Sequence, residues 1–88
     1  MVRKHLYFSG IVQGVGFRYR SAWIAESLGL TGWVMNLWDG RVEMEVQGDR
    51  KSIDRMLENL HEQRFIRIDR IDAEEIPLKD GEHRFRTR

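Results

Sequence analysis

The sequence predicts an α+β fold in which two helices cover one face of an antiparallel β-sheet. Apolar and polar residues alternate without interruption over residues 41–47, as in a strand with one buried face. Apolar residues recur at helical spacing over residues 53–60, which indicates an amphipathic helix. Near the N-terminus, an apolar run ends in a glycine-containing turn and passes into a second helical pattern. These segments follow the order β-α-β-β-α-β, and a two-layer sandwich buries their apolar faces.

The first strand is predicted over residues 3–12. Leu6 and Phe8 fall on one face, and apolar residues also occur on the other face, as in a strand near the centre of a sheet. The first helix is predicted over residues 19–28. It ends at Gly29, because glycine readily takes the left-handed conformation that closes many helices.

Two strands joined by a tight turn are predicted next. The first covers residues 31–37, and the second covers residues 41–47, where Val42 and Met44 point to the core. The intervening sequence, Trp-Asp-Gly at residues 38–40, is typical of a hairpin turn. This half-buried pair is the clearest strand prediction in the chain.

The second half repeats the order of helix and strand. Asp49 is the predicted N-cap of the second helix, and a strand follows over residues 64–76, with a bulge near Arg70 where the alternation slips. Residues 83–88 form a predicted short edge strand anchored by Phe85. The architecture is therefore ferredoxin-like, with an antiparallel sheet of four strands to which a short fifth can be added. Since this fold hosts many unrelated functions, it does not define one.

The composition predicts a single domain over residues 1–88. The chain has no cysteine, which excludes disulfides and thiol chemistry, and its three histidines show no metal-ligand spacing. A net charge of +1 argues against a general polyanion binder, so no nucleic-acid partner is expected. No long apolar run or signal-type N-terminus occurs, so we expect a cytoplasmic protein with no membrane contact. We also expect a monomer.

The turn between the first strand and the first helix has the features of an anion cradle. Gly14 and Gly16 allow the backbone to approach a ligand closely and to take positive φ. The N–H groups of a turn and of a helix N-terminus lack intrahelical partners, so they can bind a phosphate. Arg18 adds a planar guanidinium that can donate two parallel hydrogen bonds. We therefore predict a phosphate site here.

Two separated blocks of sequence resemble the acylphosphatase family. They lie in the family's order and at its spacings between residues 12 and 48, about two fifths of the 88 residues. The matching residues are Val12-Gln13-Gly14-Val15-Gly16-Phe17-Arg18, then Leu28-Gly29-Leu30-Thr31-Gly32-Trp33-Val34, then Asn36, Asp39-Gly40, Val42-Glu43 and Gln47-Gly48. The chain departs from the family pattern at Met35, where arginine is common, and lacks a Gly-Pro pair after the second helix.

The resemblance implies hydrolysis of acyl phosphates, the mixed anhydrides of carboxylic and phosphoric acids, to a carboxylate and inorganic phosphate. It implies that Arg18 and the loop amides hold the phosphate and that Asn36 positions the attacking water, with no metal or organic cofactor. The implied catalytic residues are Arg18 and Asn36. The implied substrate-binding residues are Gly14, Val15, Gly16, Phe17 and Arg18.

Two alternatives stay open from the sequence. One is a non-catalytic ferredoxin-like module that binds RNA or a phosphorylated ligand, because residues 14–19 loosely resemble the aromatic motif of RNA-recognition domains. The position argues against it, since that motif belongs on the third strand. The other is a module that handles carbamoyl phosphate, as in larger hydrogenase-maturation carbamoyltransferases. Because the sequence stops at Arg88 without further segments, we expect a standalone enzyme.

Overall fold

The computed structural model describes residues Met1–Arg88 and contains two helices and five strands. The elements are β1 (Val2–Ile11), α1 (Phe17–Ser27), β2 (Thr31–Asn36), β3 (Val42–Gly48), α2 (Arg50–His61), β4 (Arg67–Ile76) and β5 (Phe85–Thr87). Their order confirms the predicted α+β sandwich with ferredoxin-like connections. Neither helix has the length and apolar character that crossing a membrane would require.

The five strands form one sheet in the order β4-β1-β3-β2-β5. The first four pair antiparallel as predicted, with β1 between β3 and β4. The fifth strand pairs with β2 in parallel, so the complete sheet is mixed. Because β4 and β5 lie at opposite edges, residues 77–84 carry the chain across the sheet between them. This crossing brings the C-terminal residues beside β2.

The register of β1 against β4 contains the predicted bulge. Ser9 is opposite Arg70 and Gly10 is opposite Ile68, so β4 has one extra residue, Asp69, at this point. A Cβ at Gly10 would lie 2.2 Å from a main-chain oxygen of β4, so only glycine fits there. The bulge confirms the prediction near Arg70.

Most helix and strand ends differ from the predicted bounds by one to three residues. Helix α1 begins at Phe17, two residues early, because Gly16 at φ 78° turns the chain directly into the helix. Strand β4 begins later than predicted, because Gln63 and Ile66 form a turn through a main-chain hydrogen bond. Asp49 occupies the N-cap of α2 as predicted, but its side chain makes no capping hydrogen bond.

The core lies between the sheet and the two helices, and it anchors the turn that leads into α1. Phe17, the first residue of α1, packs against Phe8 of β1 with ring centroids 4.9 Å apart. Both rings are almost completely buried, so the first turn of the helix is fixed to the central strand. The other residues of this core are Leu6, Val12, Ile24, Ala25, Leu30, Val34, Val42, Met44, Val46, Ile53, Met56, Leu60 and Ile66.

On the opposite face, a buried arginine fixes the segment that crosses the sheet. Arg3 is 1% exposed and donates hydrogen bonds to Glu45, Gln47 and Glu82. Gln47 also bonds the main chain of Lys79 in both directions. Burial acts to raise the pKa of Glu82, but hydrogen bonds from Arg3 and Thr31 and the nearby positive charges hold that pKa below its usual value. The crossing segment is thus tied to β1 and β3.

Candidate active site

The turn after β1 takes its shape from two glycines. Gly14 has φ 74° and Gly16 has φ 78°, values in the left-handed region that other residues rarely adopt. A Cβ added to either glycine would meet no atom within 4 Å, so the backbone conformation, not the space around it, calls for glycine. Between them, the Val15 side chain packs against the core. The Val15 side chain therefore fixes the turn to the core, while Gly14 and Gly16 are exposed to solvent.

The main-chain N–H groups of this turn have no acceptor within the protein. The first hydrogen bond of α1 runs from the Arg20 N–H to the Gly16 carbonyl, at 2.9 Å. No side chain caps the helix, so the N–H groups of residues 14–19 donate to no group of the chain. Since the positive end of the helix dipole lies at the same place, the turn is suited to an anion.

Arg18 lies at the second position of α1 and is exposed. Its Nη1 donates a hydrogen bond to the main-chain oxygen of Arg88, at 2.8 Å. That contact uses one edge of the guanidinium and leaves other N–H donors free. Arg18 is therefore oriented by the C-terminal end of the sheet and can still bind an anion.

Asn36 is the last residue of β2 and lies on the helix side of the sheet. It pairs with Val42, whose side chain is in the core, and residues directly opposite each other in a ladder share a face. The Asn36 side chain is exposed, and its carboxamide has no hydrogen-bond partner within the chain. It is free to bind a substrate or a water molecule.

One cavity of about 470 Å³ brings the predicted residues together. Arg18 and Asn36 both line it, although 18 positions separate them in the sequence. The full lining is Val12, Gly14, Gly16, Phe17, Arg18, Tyr19, Ala22, Asn36 and Thr87. Of the predicted residues only Val15 is missing from this lining, because its side chain points to the core.

Sequence reasoning missed Thr87 and the role of Gln13. Thr87 is opposite Val34 in the parallel β2–β5 ladder, which places it on the helix side next to the cavity. Nothing in the sequence indicated this pairing. The Gln13 side chain donates to the carbonyls of Leu37 and Arg41, at 2.7 and 2.9 Å. It thus bridges the glycine turn to the hairpin that follows Asn36.

Other parts of the surface offer weaker sites. A cavity of about 540 Å³ lies near the C-terminal end of α1, lined by residues such as Glu26 and His83, but it contains neither Arg18 nor Asn36. No group of three or more His, Cys, Asp or Glu side chains is arranged to hold a metal ion. The cavity at the glycine turn is therefore the candidate active site.

Comparison with known proteins identifies the family to which this geometry belongs. The sequence model of the acylphosphatase family matches residues 4–87, nearly the whole chain. The chain belongs to the acylphosphatase family. An acylphosphatase of Clostridium perfringens is 43% identical to this chain over 88 aligned residues. The alignment covers 99% of each of the two chains. The likeness to acylphosphatases therefore includes the last third of the sequence, which lies outside the blocks found between residues 12 and 48.

Solved structures agree with this assignment to the acylphosphatases. The crystal structure of acylphosphatase from Bacillus subtilis aligns with a TM-score of 0.90 and 34% identity, over 99% of this chain and 98% of that one. The crystal structure of T. kodakarensis HypF aligns with a TM-score of 0.85 and 37% identity, over the whole of this chain but only 12% of that one. Acylphosphatase-like domains therefore occur both as whole chains and as parts of larger proteins.

Proposed function

We propose that the chain hydrolyses acyl phosphates to a carboxylate and inorganic phosphate in the cavity at the glycine turn. The observation that carries the proposal is the convergence of unpaired loop N–H groups, Arg18 and Asn36 at one cavity. Family membership supports the same reaction, since the acylphosphatase family model matches residues 4–87 and an acylphosphatase of Clostridium perfringens matches over 99% of this chain. The substrate is a small molecule, and inorganic phosphate is a product.

The turn and Arg18 bind the phosphate in this proposal. The N–H groups of Gly14, Val15, Gly16 and Phe17 donate to its oxygens, and the Arg18 guanidinium adds a charged donor. Phosphoryl transfer depends mainly on positioning and on stabilising charge on the equatorial oxygens. An arginine and several fixed amides supply that stabilisation, which is the basis for expecting turnover without a metal or organic cofactor.

Asn36 orients the attacking water, because a carboxamide is too weak a base to deprotonate it. The water oxygen forms a bond to phosphorus while the bond from phosphorus to the acyl oxygen breaks, and the acyl group leaves as a carboxylate. Carboxylic acids have pKa values near 4, so no general acid has to protonate this leaving group. The cavity is lined by no carboxylate or histidine, so the proton of the water passes to an oxygen of the substrate.

Hydrolysis of acetyl phosphate with and without EDTA tests this proposal directly. We expect phosphate release to be unaffected by EDTA, and inorganic phosphate to inhibit competitively because it occupies the same turn. A requirement for a divalent metal would contradict the cofactor-free mechanism. Absence of hydrolysis with acetyl, benzoyl and carbamoyl phosphate would contradict the proposed function itself.

A second candidate is a domain that handles carbamoyl phosphate, the alternative that the sequence resemblance left open. The match to 12% of the HypF chain fits it only in that such a domain can be part of a larger protein. Carbamoyl phosphate is also a mixed anhydride of phosphoric acid, so the same turn and guanidinium would hold its phosphate. Comparison of kcat/KM for carbamoyl and acetyl phosphate separates the two. A strong preference for carbamoyl phosphate would support the second candidate.

We further propose that the protein acts in the cytoplasm as a monomer, without a nucleic-acid partner. The absence of cysteine fits a reducing compartment, and the net charge of +1 supplies little general attraction for polyanions. Strand β3 carries no aromatic side chain that could stack an RNA base. Sedimentation equilibrium tests the monomer, and tight, salt-dependent filter binding of single-stranded RNA would contradict the absence of a nucleic-acid partner.

A further inference from the structure

The candidate active site has an apolar side that the proposed mechanism does not use. Tyr19 and Ala22 line the cavity with Arg18 and Asn36. Because Tyr19 and Ala22 are three positions apart on α1, their side chains are neighbours on one face of the helix. The cavity is thus bordered by a phenol ring next to a small methyl side chain.

The Tyr19 ring is free to accept a partner. Tyr19 is 69% exposed. It takes part in none of the aromatic or cation–π contacts of the fold, which involve Tyr7, Trp33 and other rings. Alanine at position 22 leaves open space beside it, which a larger side chain would fill. An exposed flat ring over open space can bury apolar area against a ligand.

The charge distribution limits what this side of the cavity can bind. Arg18 is the only charged residue in the lining, and the proposed mechanism assigns it to the phosphate. The lining has no second cation that could pair with a carboxylate on the acyl group. It also has no anion that could pair with an ammonium on the acyl group. The rest of the lining consists of glycines, apolar residues and the neutral polar groups of Asn36 and Thr87.

We propose that Tyr19, with the space over Ala22, forms the subsite for the acyl group and selects uncharged, planar acyl groups such as aromatic ones. This proposal rests on the proposed function, because it places the phosphate of the substrate at Arg18. The acyl group then extends from phosphorus along the first turns of α1 and stacks on the phenol ring. Tyr19 is a specificity residue that contacts the substrate away from the reacting atoms.

Exposed aromatic residues are common on protein surfaces, so the test needs a matched control. Trp38 serves this purpose, since it is 98% exposed and lies in the turn after Asn36 but does not line the cavity. The Trp38→Ala change removes an exposed aromatic ring that lies outside the cavity. A change in substrate preference seen with Tyr19→Ala but not with Trp38→Ala therefore comes from the loss of a ring at the cavity.

The experiment compares kcat/KM for benzoyl phosphate and acetyl phosphate in the wild type and in Tyr19→Ala, Tyr19→Phe and Trp38→Ala. We expect Tyr19→Ala to lower the benzoyl-to-acetyl ratio about tenfold through KM, as loss of one stacking contact predicts. Tyr19→Phe keeps the ring and retains the ratio, and Trp38→Ala retains it too. An unchanged ratio in Tyr19→Ala, or an equal fall for both substrates, would overturn the proposal. Circular dichroism confirms that each variant is folded.

A binding measurement keeps this inference separate from the proposed function. Isothermal titration with phenylphosphonate and methylphosphonate requires no turnover. We expect the phenyl compound to bind about tenfold more tightly to the wild type, and Tyr19→Ala to remove the difference. Equal affinities in the wild type would overturn the subsite even if acyl phosphates are hydrolysed. A wild type that binds the phenyl compound preferentially but hydrolyses nothing would retain the subsite and reject the enzyme.

Discussion

Arg18 meets two requirements at once, a structural contact and a free charged edge. One N–H donates to the main-chain oxygen of Arg88, while other donors remain available to the cavity. Lysine would fit this position less well, because its three donors leave one compact ammonium and cannot offer an anion two parallel hydrogen bonds. The residue type is therefore explained by the geometry on both sides of the guanidinium.

Substitutions of Arg18 and Asn36 should affect different kinetic constants. We expect Arg18→Ala to lower kcat/KM by about 100- to 1,000-fold, because a charged donor to the transferring phosphate is lost, and Arg18→Lys to recover only part of it.

Asn36→Ala should lower kcat by a similar factor with little change in KM, because water positioning matters in the transition state. Steady-state kinetics on acetyl phosphate measure both, with circular dichroism as the control for folding. Near-normal kcat in Asn36→Ala would remove that residue from the mechanism.

At the scale of elements, the site depends on a fixed distance and orientation between the turn after β1 and the hairpin after β2. The Gln13 side chain connects them through two carbonyls, one on each side of the hairpin turn. In the proposed mechanism the turn carries the phosphate donors and β2 carries Asn36, so this bridge sets the distance between phosphate and water. We therefore propose that Gln13 is a positioning residue outside the reacting atoms.

Loss of the Gln13 bridge should lower kcat more than it weakens substrate binding. We expect Gln13→Ala to lower kcat about tenfold, because small displacements of positioning groups are costly, and to destabilise the fold by about 1–2 kcal/mol. Gln13→Glu keeps the shape but removes the donor, so it should lower kcat as well. Gln63→Ala is the matched control, since its amide bonds a single carbonyl on the exposed end of α2. Kinetics and urea unfolding measure both effects, and wild-type kcat in Gln13→Ala would contradict the positioning role.

At the scale of the whole molecule, the Arg3 cluster links the open face of the sheet to the cavity on the other side. Arg3 holds Glu82 in the crossing segment, and that segment leads directly into β5. Strand β5 then places Thr87 in the cavity wall and Arg88 next to Arg18. The two ends of the sequence are thereby fixed to each other across the sheet.

The Arg3–Glu82 ion pair should make stability depend on pH. The pKa of Glu82 in the fold is held below its usual value of 4.5, so the ion pair stabilises the fold above that pH and the contribution is lost as pH falls through the lower value. We expect Glu82→Gln to cost about 2 kcal/mol of unfolding free energy at neutral pH, and the difference from the wild type to shrink in acid. Urea unfolding across pH measures this.

Glu75→Gln is the matched control for that measurement. It breaks an ion pair with Arg50 of similar length, 2.9 Å, whose side chains are more than half exposed. Exposed pairs contribute little, so this variant should change stability by less than about 0.5 kcal/mol. An equal loss in both variants would contradict the role of burial. A Glu82→Gln difference that does not depend on pH would contradict the role of the ion pair.

The sequence by itself determined the order of the elements, the fold class and the residues at which the phosphate site was predicted. It could do so because these features depend on local pattern: alternation in β3, helical spacing in α2, and the turn of Gly14 and Gly16 before a helix. The start of α1 was predicted two residues too late, because it depends on the turn at Gly16 together with the burial of Phe17 in the core.

Only the tertiary structure decided what surrounds those residues. The parallel pairing of β5 with β2, the Gln13 bridge, the Arg3 cluster, and the positions of Tyr19 and Thr87 in the cavity wall involve residues from different elements. No local pattern specifies such contacts, because each depends on which elements the completed sheet and helices bring together. The chemistry of the site was thus encoded in short segments, while its shape and supports were set by long-range packing.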